Sequence, residues 1–125
     1  MKKLTKAEEE IMHIIWSIAP CTVGDIRDYI EREQGQKKPP HSTISTMVRI
    51  LDEKGFLTHE AYGRTFVYSP AVSKEQYSKQ SIRKLVQDYF GGSVNQLVSF
   101  LVQEENLSLD ELSDLVDRLE EDEDK

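Results

Sequence analysis

STISTMVRILDEKG (Ser42–Gly55), followed without a break by FLTHE and, after AYGR, by TFVYS (Phe56–Ser69), is the stretch that decides the fold. Its first part has Ile44, Met47, Val48 and Leu51 at helical spacing. At about 100° per residue, Ser42, Thr46, Arg49 and Glu53 centre the opposite side, with Thr43 and Ser45 at its edges. Gly55 is a natural left-handed stop for such a helix. The second part reads as two strands of about four residues, joined through Ala61–Arg64, with Gly63 free to take the positive φ of a tight hairpin. A helix-turn-helix followed at once by a β-hairpin is the outline of a winged helix.

Working outward, helix starts are marked by Ser or Thr followed three residues later by an acid or Gln. The pairs are Thr5/Glu8, Thr22/Asp25, Ser73/Gln76, Ser93/Gln96 and Ser108/Glu111. The first helix, about 6–18, carries a stripe of Ile11, Ile14, Ile15 and Ile18, and the second, about 23–33, carries Val23, Ile26 and Ile30. Pro39 and Pro40 end the loop between the second helix and the third. Beyond the hairpin the pattern predicts helices over about 74–90, 94–104 and 109–121. The expected architecture is mainly α: a winged helix-turn-helix domain over 1–72, with three helices and a two-stranded β wing, then a three-helix arm over 73–125 with an acidic tail. Three amphipathic helices in so short an arm make a poor core alone. Leu85, Tyr89, Val94, Leu97, Val98, Leu101, Leu112, Leu115, Val116 and Leu119 are therefore expected to meet a second copy, as a homodimer.

The net charge is −7, which looks wrong for a nucleic-acid binder. The distribution changes that reading. Residues 1–102 hold 14 Lys and Arg against 12 Asp and Glu, whereas 103–125 hold 2 against 11. No apolar run approaches the ~18 residues of a membrane span, and the N-terminus is not a signal peptide, so a cytoplasmic protein without membrane insertion is expected. Cys21 reads as a small buried hydrophobe, and His13, His41 and His59 lack ligand spacing, so neither metal nor cofactor is expected. Neither a nucleophile elbow, a glycine-rich phosphate loop nor a zinc-protease motif occurs, and an enzyme is not expected.

The outer face of the third helix is short, polar and rich in hydroxyls, where a merely solvated face more usually carries Glu and Lys. Hydroxyls bond base edges or phosphate, a Thr methyl packs on thymine, and Arg holds guanine or clamps a phosphate. Candidate DNA contacts are Lys38, His41, Ser42, Thr43, Ser45, Thr46 and Arg49, with Arg64 at the wing tip; Lys37 and Lys54 flank the set. The alternative is a winged-helix module that contacts protein.

Four segments, LTKAEEEIMHIIW (Leu4–Trp16), TISTMVRILDEKGFL (Thr43–Leu57), YGRTFVYSP (Tyr62–Pro70) and YFGGS (Tyr89–Ser93), together resemble the penicillinase-repressor family of BlaI, MecI and CopY. The resemblance runs from about Leu4 to Leu119. It implies a winged-helix domain with a helical dimerisation arm, and dimers that bind dyad operators to repress β-lactam-resistance or metal-homeostasis genes. Reading-helix contacts of the family correspond to Ser42, Thr43, Ser45 and Thr46. Thr43 and Thr46 match in type, Ser42 and Ser45 stand where longer basic residues are common, and Arg49 lies one position earlier than the arginine of the β-lactam repressors. In the β-lactam branch a membrane-embedded sensor protease cuts an Asn–Phe bond in the fifth helix; the corresponding pair here is Ser99–Phe100. The copper-responsive branch ends in a cysteine cluster, which a chain with Cys21 alone does not have.

Overall fold

The computed structural model describes residues 2–105, together with 110–111, 113–114 and 117–118. The elements run α1 (Lys6–Ile18), α2 (Val23–Arg32), α3 (His41–Glu53), β1 (Leu57–Tyr62), β2 (Thr65–Pro70), α4 (Lys74–Phe90) and α5 (Val94–Glu105). It is a mainly helical fold with a two-stranded antiparallel sheet, and its contacts group into two units, Met1–Lys74 and Glu75–Lys125.

In the first unit, α1 and α2 start on complete capping boxes. The Thr5 hydroxyl accepts from the Glu8 amide at 3.1 Å while the Glu8 carboxylate accepts from the Thr5 amide at 2.8 Å. Thr22 and Asp25 repeat this at 3.1 and 2.9 Å, so two orphan donors of each first turn are satisfied. The helices bury Ile11, Ile14 and Ile15 of α1, Ile26 and Ile30 of α2, and Ile44, Val48 and Leu51 of α3. The α1 stripe differs from the sequence expectation at its ends: Ile18 is half-buried and Met12 is fully buried. The buried side of α1 also takes in Glu8, one turn before Met12, so it is wider than the isoleucine stripe suggested.

The end of α3 fixes where the hairpin leaves. Gly55 takes φ +85°, its amide donates to Asp52 O at 3.0 Å, and the Phe56 amide donates to Leu51 O at 2.9 Å. These are the two hydrogen bonds of a Schellman motif, and Phe56 and Leu51, the positions of its usual hydrophobic contact, are both fully buried. The strands then pair from Leu57↔Pro70 to Tyr62↔Thr65, leaving Gly63 (φ +64°) and Arg64 as a two-residue turn. Each strand has six residues rather than about four. Backbone pairing continues past the apolar residues through Glu60–Tyr62, which are exposed and gave no alternation to read. Tyr68 also exchanges both backbone hydrogen bonds with Cys21, at 2.7 and 3.0 Å, so the α1–α2 connection lies against β2 as a one-rung third strand. Trp16 Nε1 donates to Val72 O at 2.9 Å and ties the end of the hairpin to α1.

In the second unit α4 stops at Gly91–Gly92, where the Gly92 amide donates to Val86 O at 3.0 Å, and α5 begins with the Gln96 amide donating to Ser93 Oγ at 3.2 Å. Val86 and Leu97 are buried, and the Phe90 and Phe100 rings meet at 5.6 Å. Leu109, Leu112, Leu115, Val116 and Leu119, the apolar positions expected of a sixth helix, lie outside the described residues, as does Ser108 of the fifth capping pair.

Candidate nucleic-acid interface

Along α3 the apolar residues face inward, and His41, Ser42, Thr43, Thr46 and Arg49 are exposed, with Ser45 half-buried. The start of this helix differs from those of α1 and α2. Its N-cap is Pro40, which offers no side-chain acceptor, and its first turn holds no acid. From Gln34 to Leu51 the chain has three cations, Lys37, Lys38 and Arg49, and no carboxylate. The first turn therefore has no side-chain cap and no acid of its own at the positive end of the helix dipole, an arrangement that favours an anion.

Two contacts hold the loop that leads into this end. Arg27 Nε donates to Pro39 O at 2.8 Å, and Lys38 Nζ donates to Asp28 Oδ1 at 2.7 Å. The Lys38 ammonium holds the Asp28 carboxyl below its ordinary range. Lys38 thus reaches a phosphate only by exchanging partners. Lys54 is a plainer departure from the sequence expectation. Its Nζ lies 2.7 Å from Glu8 Oε1 and 3.0 Å from Oε2, and also donates to Lys3 O at 3.2 Å. It is engaged in joining α3 to the start of α1, and does not flank the polar face.

Between the wing and the starts of α2 and α3 lies a cleft of about 370 Å³. Arg64, Thr65, Phe66 and Tyr68 of the wing line it, together with His41 and Ser45 of α3. Thr22, Val23 and Gly24 at the start of α2 complete it. Sequence reading missed these three, because the Thr22 box announces a helix start and nothing local says what that start faces. Burial, and after it Asp52, push the Tyr68 hydroxyl up in pKa, and Arg49 opposes them.

The second unit carries an apolar hollow of about 690 Å³, lined by Leu85, Tyr89, Phe90, Leu97, Phe100 and Leu101. Tyr89 is 78% exposed and Leu85 43%. Val94, Val98 and Leu101 are half-buried, and Ser99 and Phe100 are exposed within the helical stretch of α5. Among the described residues no group of three His, Cys, Asp or Glu side chains is placed to hold a metal, and no helix is long and apolar enough to cross a membrane. Cys21 is buried, and desolvation, aided by Asp25, pushes its thiol up to about 11.

The penicillinase repressor family model matches residues 4–121. A penicillinase repressor of Bacillus licheniformis is 28% identical over 124 residues, covering 97% of this chain and 94% of its own length. The methicillin resistance regulatory protein MecI of Staphylococcus aureus is 30% identical over 113 residues, covering 90% and 89%. Among solved structures, the monomeric form of Bacillus licheniformis BlaI in complex with the blaP half-operator is 29% identical, covering 61% of this chain and 89% of that one, with a TM-score of 0.48.

Proposed function

This chain belongs to the penicillinase repressor family, and from that premise we propose that it is a cytoplasmic transcriptional repressor that binds double-stranded operator DNA as a homodimer. The observation that carries the reading is the uncapped, acid-free start of α3, which presents Ser42, Thr43, Thr46 and Arg49 beside a wing tipped by Arg64. The hydroxyl side chains and Arg49 meet base edges in the major groove, and Arg64 and His41 meet phosphates on either side. One reading helix makes too few contacts for a specific complex. A second copy, joined through the hollow of Leu85, Tyr89, Leu97 and Leu101, supplies the other half-site about one helical turn away.

The genes it controls serve β-lactam resistance or stress response, and repression ends when a membrane sensor protease cuts Ser99–Phe100. A shift assay with a duplex enriched from a randomised 30-base-pair pool, run at several salt concentrations, tests the DNA reading. If the dimer makes about six phosphate contacts, log K falls against log salt with a slope near −5. No enrichment, or binding independent of salt, would favour a wing and α3 that contact protein instead.

A further inference from the structure

We propose that His59 is a positioning residue for the wing: held by Asp52 of α3 and packed on Phe66, it sets the angle at which the outer half of the hairpin, with Arg64, stands over the reading helix. The inference rests on the DNA-binding reading for its consequence and on contacts alone for its geometry. His59 Nδ1 is hydrogen-bonded to Asp52 Oδ2, across from β1 to α3. The imidazole lies with its centroid 4.8 Å from that of Phe66 and 5.9 Å from that of Tyr68.

His59 and Tyr68 are register partners, so this rung of the hairpin is gripped twice. On the β2 side, the backbone of Tyr68 is bonded to Cys21. On the β1 side, His59 is bonded to α3. Inward of the rung the hairpin is anchored by buried Leu57. Outward of it, Glu60↔Val67, Ala61↔Phe66 and Tyr62↔Thr65 continue, and their side chains are exposed except for half-buried Val67. A free two-stranded ribbon is marginally stable and twists readily. The chain Asp52–His59–Phe66 links the angle of this ribbon to α3, and Phe66 itself lines the cleft that Arg64 and Ser45 also line. His59 and Asp52 thus help DNA binding by keeping Arg64 where it is needed before DNA arrives, without touching DNA themselves.

The test compares His59→Ala and Asp52→Ala, which break the link from its two ends at partly exposed positions, in the full chain. Without DNA, hydrogen exchange of the Glu60–Tyr62 and Thr65–Val67 amides is expected to quicken in both variants, while α1–α3 and the Leu57↔Pro70 rung keep their protection. Unchanged exchange in the outer rungs would overturn the positioning role whatever the protein binds. With the enriched 30-base-pair duplex, each variant is expected to bind about threefold to tenfold more weakly at an unchanged salt slope, and the loss caused by Arg64→Ala should shrink by about threefold in the His59→Ala background. A loss from Arg64→Ala of the same size in both backgrounds would overturn action through Arg64. A wild-type chain that enriches no duplex rejects the DNA reading, and the exchange experiment still decides the geometry.

Discussion

Lys54, the C-cap of α3, reaches back 46 residues to Glu8 at the start of α1, with Nζ 2.7 Å from Oε1. Glu8 is 6% exposed, and its two oxygens take the Lys54 ammonium while Oε1 also takes the Thr5 amide. One carboxylate therefore caps a helix and fastens a second helix to it. The Lys54 hydrogen bond, with the Thr5 amide next, holds the Glu8 carboxyl below its ordinary value of 4.5 despite burial.

Lys54→Met leaves a nearly buried carboxylate with half its partners, and is expected to lower stability by about 1–3 kcal/mol. Because the folded pKa of Glu8 lies below the unfolded one, its contribution is present above pH 4.5 and lost as pH falls through the folded value. The wild type should therefore unfold more readily as acid protonates Glu8, and Lys54→Met should show a weaker acid dependence there. Urea midpoints at pH 7 and at a series of pH values descending well below 4.5 check both. The DNA salt slope should not change, since Lys54 is spent inside the protein.

Thr46→Ala and Arg49→Ala should each cost about 1–3 kcal/mol on the enriched duplex if they meet base edges, whereas Arg64→Ala should weaken specific and random DNA alike. All three side chains are exposed, so melting temperature should barely move. Equal losses on both duplexes for Thr46→Ala would remove it from the base-reading set.

Cys21 should be nearly inert to thiol reagents in the native protein. Its thiol is buried and pushed up to about 11, so little thiolate exists at pH 7, and reaction awaits opening of the Cys21–Tyr68 rung. Labelling by a disulfide reagent is expected to follow global or local unfolding and to become fast in 6–8 M urea. Prompt stoichiometric labelling of native protein would contradict the packing described for this turn.

How much of this was legible depended on range. The Thr5/Glu8 and Thr22/Asp25 boxes span three residues, and Gly55 and Gly63 impose their own backbone, so helix starts and turns could be read from the chain. Glu8–Lys54, Asp52–His59 and Cys21–Tyr68 join distant segments or depend on the hairpin's twist, and no spacing rule encodes them. Lys54 is the clearest case: the sequence places a lysine near the polar face, and only the packing of α1 on α3 assigns it a carboxylate. The polar face of α3 was legible from its helical angle, while the contribution of Thr22–Gly24 to the cleft was not.

Tyr89 offers a probe of the proposed dimer that spares the fold. It is 78% exposed in the single chain, so Tyr89→Asp costs the protomer little, but it places a charge beside the apolar hollow of Leu85, Leu97 and Leu101. Sedimentation at micromolar concentration should give a dimer for the wild type and a monomer for the variant. Duplex binding should fall steeply with it, because two half-sites no longer bind as one. A wild-type monomer would end the dyad reading.

Proteolytic control predicts a specific fragment. The Ser99–Phe100 bond lies inside α5, where Ser99 is exposed and the Phe100 ring packs on Phe90 at 5.6 Å. A helical bond does not fit an extended protease subsite, so cutting requires that this turn open first. α5 is suited to that, because Phe100 is 48% exposed and the Phe90 contact and the open hollow give it limited packing. Cleavage would remove Phe100 and Leu101 from the hollow along with everything after them, so the proposed surface between two copies would lose part of its lining and the proposed operator complex its bivalency. Mass spectrometry of the repressor from induced cells should find a chain ending at Ser99, and Phe100→Asp, which alters the residue after the cut, should slow its appearance. An intact chain under full derepression would reject cleavage and point to a signal that acts without breaking the chain.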